Sequence, residues 1–310
     1  MLSFRILGPL EIVTESAVLR PRKSKQNALL MTLPADHGQL VSTDSLIAEL
    51  WGEDHPDRVE NDLQAHISRL RRRLGALEPG GESRIVTHAS GYECVVADDE
   101  LDASAFVAGL DDLRGLTEAD PADFIGRLRG LLTLWRGCAF GRQGRGPILQ
   151  AAAARYEEHC IAAYQLLFKQ ELQSGNHAGI IPELRELVAS YELHEKFRQQ
   201  LMTALYRSGR QADALTAYRE LGRRLSDQLG LDPSPAMRQF EQAVLGQYAS
   251  IDALRPSLSR PTVSSSSAAL PAAAPAGRPR SQPAASSQID RMRTCSRVLP
   301  LLTGVSRRAG

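Results

Sequence analysis

The sequence predicts a mainly α protein: a short β-sheet, three helices and a β-hairpin over residues 1–97, an all-α unit over 98–254, and a disordered tail over 255–310. Three observations predict it. Short apolar alternation, then helical periodicity, then two β-rich runs fill the first 97 residues. A repeat of fixed length with almost no strand signal fills the next stretch. Beyond Leu254 the chain is Pro, Ala, Ser and Arg with no Phe, Tyr or Trp, too little apolar surface to offset the entropy of ordering.

The elements follow in order. Phe4, Ile6, Leu10 and Ile12 alternate, Gly8-Pro9 interrupts, and Ala17-Val18-Leu19 follows a polar turn, the pattern of a small antiparallel sheet. A first helix begins near Ser24 and carries Ala28, Leu29, Leu30 and Leu33, with Pro34 set to end or kink it. A second opens at Ser42 or Thr43 as N-cap, places Leu46, Ile47, Leu50 and Trp51 on one face and stops at Gly52. A third runs from about Arg58 to Leu74 and stops at Gly75. Arg84-Ile85-Val86-Thr87 and Tyr92-Glu93-Cys94-Val95-Val96 then form a hairpin across His88-Ala89-Ser90-Gly91. Sheet, three helices and terminal hairpin make a winged helix-turn-helix. In the next unit Ser174-Gly175 matches Ser208-Gly209, Ala178 matches Ala212, Ile181 pairs with Leu215 and Leu187 matches Leu221, each at an offset of 34. That is the period of the tetratricopeptide helix pair, and two copies with flanking helices make a short stack.

The third helix carries the candidate chemistry. At about 100° per residue, Val59, Leu63, Ile67, Leu70 and Leu74 form one core stripe. Asn61, Ala65, Ser68, Arg69 and Arg72 fall opposite, with Arg71, Arg73 and Gln64 on the flanks. Small residues allow close approach, Asn or Gln matches adenine and Arg matches guanine in a major groove; the arginine cluster at the C-terminal end suits phosphate. A solvated charged face is the plain alternative for an Arg-Leu-Arg-Arg-Arg run taken alone, and the hairpin directly after it favours DNA. Lys23 and Lys25, with Arg22, lead into the first helix and are candidate phosphate contacts. Arg84 and His88 flank or occupy the wing, where a cation can enter the minor groove.

Net charge is a poor guide. The total of +1 is a cancellation of −2 over residues 1–97, −5 over 98–254 and +8 over 255–310. Aromatics at 5% argue against a stacking-based single-strand binder. No run approaches the length of a membrane span, and Met1 to Val13, with Arg5 and Glu11 inside a strand pattern, is no secretory signal. Cys94, Cys138, Cys160 and Cys295 lie far apart without a C-x-x-C pair, so free structural thiols in a reducing cytoplasm are expected and no zinc site. His159-Cys160 and the Asp/Glu pairs lack a third partner at triad-like or metal-like spacing. No catalytic residue, metal or cofactor is expected.

His66-Ile67-Ser68-Arg69-Leu70-Arg71-Arg72, the Glu78-Pro79-Gly80-Gly81 turn, Arg84-Ile85-Val86-Thr87 and Gly91-Tyr92 resemble the OmpR-like winged helix of response regulators, without the receiver domain that precedes it there. Phe4-x-Ile6-Leu7-Gly8-Pro9-Leu10-Glu11, Leu50-Trp51-Gly52, Trp135-Arg136-Gly137, Gln200 to Leu215 and Leu229-Gly230-Leu231-Asp232-Pro233-Ser234-Pro235 are similar to a narrower family, the Streptomyces antibiotic regulatory proteins. The resemblance covers about residues 2–248. It implies a cytoplasmic, nucleoid-associated activator of a secondary-metabolite gene cluster that binds promoter direct repeats of double-stranded DNA as a dimer and contacts RNA polymerase holoenzyme at its sigma factor. The helical unit would be its transcriptional activation domain. No Walker-type G-x-x-x-x-G-K is present, so the ATPase domain of the larger members has no counterpart. A repressor, or an adaptor working through the helical repeat alone, are the alternatives.

Overall fold

A computed structural model describes residues 2–246 apart from 16, 22–23, 36–38, 54–55, 80–81, 117–119 and 143–145. Arg22, Lys23, Cys295 and the expected tail lie outside the described residues.

Strands β1 (Ser3–Arg5), β2 (Glu11–Val13) and β3 (Val18–Leu19) form an antiparallel sheet in that order, with Phe4 opposite Ile12. Phe4, Ile6, Leu10 and Ile12 are all buried, as their alternation predicts. Helix α1 (Lys25–Thr32) starts at Ser24, whose hydroxyl accepts the Asn27 N–H, and ends at Leu33, just before Pro34. Strand β4 (Val41–Ser42) leads directly into α2 (Thr43–Trp51), capped by Ser42 through the Ser45 N–H at 3.1 Å and closed by Gly52 at φ 74°. Helix α3 (Val59–Leu77) follows, then the hairpin of β5 (Ile85–His88) and β6 (Gly91–Cys94).

Two details differ from the sequence reading. Strand β4 is unpredicted because two residues carry no periodicity; it pairs with β6 in a second sheet of order β4-β6-β5. Gly91 makes that pairing possible, since a side chain there would collide with the Val41 carbonyl. Helix α3 also runs through Gly75 instead of stopping there, and Glu78 N–H closes it on the Leu74 carbonyl at 3.1 Å. Burial of Leu74 and packing of Leu77 against the core outweigh the cost of about 1 kcal/mol for an internal glycine.

The second unit consists of α4 (Asp102–Gly115), α5 (Pro121–Leu132), α6 (Pro147–Gln173), α7 (Ile181–Ser190), α8 (Glu195–Arg207), α9 (Gln211–Leu229) and α10 (Pro235–Leu245). The 34-residue repeat is the α6/α7 and α8/α9 pair of hairpins. Gly175 and Gly209 occupy equivalent turns at φ 84° and 76°, and Leu187 and Leu221 are equally buried.

The two units share one continuous apolar core, and polar groups pin the joint. The Asp102 carboxylate, at the start of α4, accepts the Ile6 and Leu7 N–H groups, the former at 2.7 Å. Arg136 N–H donates to Leu7 O at 2.7 Å and its guanidinium to Pro9 O and Glu11. Gly8, at φ 150°, leaves no room for a Cβ against Arg136. Glu49 of α2 accepts the Ile148 N–H at 2.7 Å, so a side chain of the first unit caps the N-terminus of the longest helix of the second. Farther along α6, Arg155 and Tyr156 donate to the Ala35 carbonyl. Cys94 and Cys160 are free and buried; Cys138 is disulfide-bonded, so the expectation of free thiols fails there.

Candidate nucleic-acid interface

The amphipathic pattern of α3 decides which side chains it offers. Val59, Leu63, Ile67, Leu70 and Leu74 are all buried, which fixes the helix's roll on the core and turns Asn61, Gln64, Ser68, Arg69 and Arg72 to solvent. None of these five has a side-chain hydrogen bond or ion pair among the described residues. Asn61, Gln64, Ser68 and Arg72 are separated by three or four positions and form a row along one side of the helix, with Arg69 beside Ser68. Arg58, exposed at the N-terminal end of α3, extends this row; its own periodicity, continued one turn back from Asn61, is the signal that would have found it.

The other sequence-predicted cations are placed differently. Arg71 Nε donates to Ile85 O at 3.0 Å and Arg71 Nη2 to Thr87 Oγ1 at 2.6 Å, so this arginine braces α3 against the wing strand β5. Arg73 donates to Asn27 Oδ1 at 2.8 Å and ties α3 to α1. Lys25 Nζ sits 3.8 Å from the centroid of the Trp51 ring, a cation–π contact; burial lowers its pKa, with Asp62 opposing. His66 completes that cluster, its ring 6.0 Å from Trp51, and burial, then Arg69 and Lys25, lower its pKa. Lys23 lies outside the described residues.

Arg84 is not on the outward face. Its guanidinium is held by Glu78 at 2.6 and 2.8 Å and by Glu100 at 2.6 and 2.7 Å. The hydrogen bonds from Arg84 hold both carboxyls below their usual pKa, and the two carboxylates raise that of the arginine. The expected minor-groove cation is thus a brace joining the end of α3, the start of the wing and the turn into α4. At the wing itself His88 Nε2 lies 2.7 Å from Glu93 Oε2, and Ser90 O accepts the Thr43 N–H, clamping the tip to the start of α2.

Such a helix, rigidly held on its buried side and unengaged on the other, suits contact with the edges of base pairs in a major groove. Among the described residues no group of His, Cys, Asp or Glu is placed to hold a metal ion, and no helix is long and apolar enough to cross a membrane.

Comparison with known proteins places both units. Residues 21–93 match the family described as transcriptional regulatory protein, C terminal, and residues 101–245 match the bacterial transcriptional activator domain. The chain is 37% identical over 246 residues to the transcriptional regulator RedD of Streptomyces coelicolor, covering 78% of this chain and 70% of RedD. The chain belongs to the Streptomyces antibiotic regulatory protein family. The regulatory protein DnrI of Streptomyces peucetius is 31% identical over 257 residues, 81% of this chain and 94% of DnrI. A solved structure of Mycobacterium tuberculosis EmbR, in complex with a low affinity phosphopeptide, superimposes with a TM-score of 0.73 at 28% identity over 79% of this chain. That match spans 65% of the EmbR chain. This member of the family is therefore a transcriptional regulator of the winged-helix class. Two motifs quoted for the resemblance, Phe4 to Glu11 and Trp135-Arg136-Gly137, turn out to be the two sides of the joint between its units.

Proposed function

We propose that this regulator is a sequence-specific activator of a secondary-metabolite, antibiotic biosynthetic gene cluster. Residues 1–97 form its DNA-binding domain and residues 98–254 its activation domain. Helix α3 enters the major groove of promoter direct repeats in double-stranded DNA, two copies seat side by side on the tandem sites, and the helical unit contacts RNA polymerase holoenzyme at its sigma factor. The protein works in the cytoplasm at the nucleoid. The observation that carries this reading is the row Asn61, Gln64, Ser68, Arg69 and Arg72, exposed and unengaged on a helix whose opposite side is buried.

In this scheme Asn61, Gln64 and Ser68 face base edges, while Arg69 and Arg72 meet guanine or phosphate. Arg71, Arg73, Arg84 and Lys25 hold α3, the wing and α1 in register, and Lys23 is a phosphate contact. Footprinting on promoters of neighbouring biosynthetic genes tests the reading. A protected pair of direct repeats, lost in Arg69→Ala/Arg72→Ala at a cost of about 1–3 kcal/mol per contact, is the expected result. Equal retention of a scrambled duplex refutes it, and a reporter that rises on deletion of the gene refutes activation.

A further inference from the structure

Helix α2 touches the wing, the recognition helix and the second unit at once. Its first N–H, on Thr43, donates to Ser90 O at 3.0 Å at the tip of the wing. Its last residue, Trp51, lies against His66 of α3 with ring centroids 6.0 Å apart. Between these ends Glu49, 8% exposed, reaches into the start of α6 and accepts the Ile148 N–H at 2.7 Å. Burial raises its pKa, and the backbone N–H groups of Ile148, Leu149 and Gly146 act against that rise. A carboxylate among the orphan donors of a helix start is held by hydrogen bonds and by the helix dipole together.

The second unit is shaped to receive this group. A side chain on Gly146 would occupy the space of the Glu49 carboxylate, so the chain ahead of α6 closes on that group only as glycine. Farther along the helix, Arg155 Nη2 and Tyr156 Oη donate to Ala35 O at 2.8 and 2.9 Å, where the chain leaves α1. Helix α6 therefore grips the first two helices of the winged helix at two places, while it packs against α5 and α8 on its own side. Glu49 and Tyr156 are buried and closed off from any duplex.

In a helix-turn-helix the helix before the recognition helix crosses the phosphate backbone. Its placement sets how α3 enters the groove, and hydrogen bonds to base edges tolerate little misalignment. We propose that Glu49 is a positioning residue for DNA reading, and that Gly146 and Tyr156, which hold it and α1 from the second unit, make α6 part of the same machinery. The anchor fixes α2, and α2 fixes α3 and the wing in the register that lets Asn61, Gln64 and Ser68 meet base edges. The proposal rests on the reading of α3 as the groove-entering helix and adds that discrimination among sites depends on residues of the helical unit.

The experiment measures affinity for the footprinted promoter duplex and for its scrambled version, well below the melting range, in full chains carrying Glu49→Gln, Gly146→Ala or both. The promoter-to-scrambled ratio should fall about tenfold in each single variant, and by the same factor, not its square, in the double variant, because both changes remove one contact. Affinity for the scrambled duplex should keep its salt dependence, since no phosphate contact is lost. Amide exchange of the free protein should rise along α2 and at Thr43. Glu171→Gln, which loosens the Arg129 brace between α5 and α6, is the control and should lower Tm with the ratio intact. Circular dichroism checks each fold, and Tyr156→Phe, which loses the bond to Ala35 at nearly constant volume, replaces Gly146→Ala if that chain does not fold. An unchanged ratio overturns the proposal, as do losses that multiply in the double variant, an α2 as protected as in the parent, or an equal loss in the control. A parent that retains both duplexes equally refutes the reading of α3 itself, and the proposal falls with it, so the two failures are told apart.

Discussion

Replacing Arg84 by Met separates a brace from a DNA contact. The substitution keeps the aliphatic stem and removes a guanidinium that makes four hydrogen bonds to Glu78 and Glu100. Glu100 is the more buried acid, with 7% of its side chain exposed against 26% for Glu78. Removing one partner of a fully buried ion pair costs about 3–5 kcal/mol; Glu78 retains water, so about 2–3 kcal/mol is expected here. For a folded unit of this size that lowers Tm by about 5–10 °C. The pH dependence has a definite sign. Both carboxyls have folded-state pKa values below the ordinary 4.5, so their stabilisation is full above that value and fades as pH falls through the depressed folded values. The Tm gap between parent and Arg84→Met should be constant from pH 7 to 5.5 and close below pH 4. Affinity for the promoter duplex, measured well below the melting range, should keep its salt dependence. An unchanged Tm together with a salt slope shallower by about one phosphate contact would refute the reasoning and return Arg84 to the DNA.

Three further outcomes follow from the same geometry. Glu49→Ala leaves the Ile148 N–H at the start of α6 without its acceptor; a loss of about 1–2 kcal/mol and faster proteolysis between the two units should appear in denaturant melts and limited digestion. Gly91→Ala drives a Cβ into the Val41 carbonyl, so β4 must separate from β6 and amide exchange should rise at Tyr92 while α8 and α9 stay protected. Arg71→Ala frees the wing from α3 without touching the exposed row, and should weaken DNA binding by less than Arg72→Ala while raising amide exchange at Thr87.

What was legible in the sequence was what local periodicity encodes. The alternation of Phe4, Ile6, Leu10 and Ile12 and the stripe Val59, Leu63, Ile67, Leu70 and Leu74 are core in the structure. The offset of 34 gave the stack, because the turn glycines at 175 and 209 both need positive φ. The fate of each arginine was not legible. Arg73 finds its partner 46 positions away and Arg84 finds Glu100 16 positions away, distances over which no spacing rule applies. The joint was invisible for the same reason: Ile6 and Asp102 are 96 residues apart. Two-residue β4 is set by its partner strand, not by its own sequence.

The arginine assignments also change what the charge of the first unit implies for DNA. Eleven Lys and Arg lie within residues 1–97. Arg5 and Arg20 pair with Glu11, Lys25 rests on Trp51, and Arg71, Arg73 and Arg84 are engaged inside the fold. Arg58, Arg69 and Arg72 remain, with Arg22 and Lys23 outside the described residues as the most that can be added. Three to five neutralised phosphates per copy give a slope of log affinity against log salt of about −3 to −4.5, whereas all eleven cations would give about −10. A chain ending at Leu254, free of the +8 segment, should show the shallow value, and a slope of about −6 or steeper would mean that the braces open onto the DNA. A shallow slope means weak attraction to arbitrary duplex, so under the proposed reading discrimination among sites would come from base-edge contacts of Asn61, Gln64 and Ser68, joined by whichever of Arg69 and Arg72 meets guanine instead of phosphate.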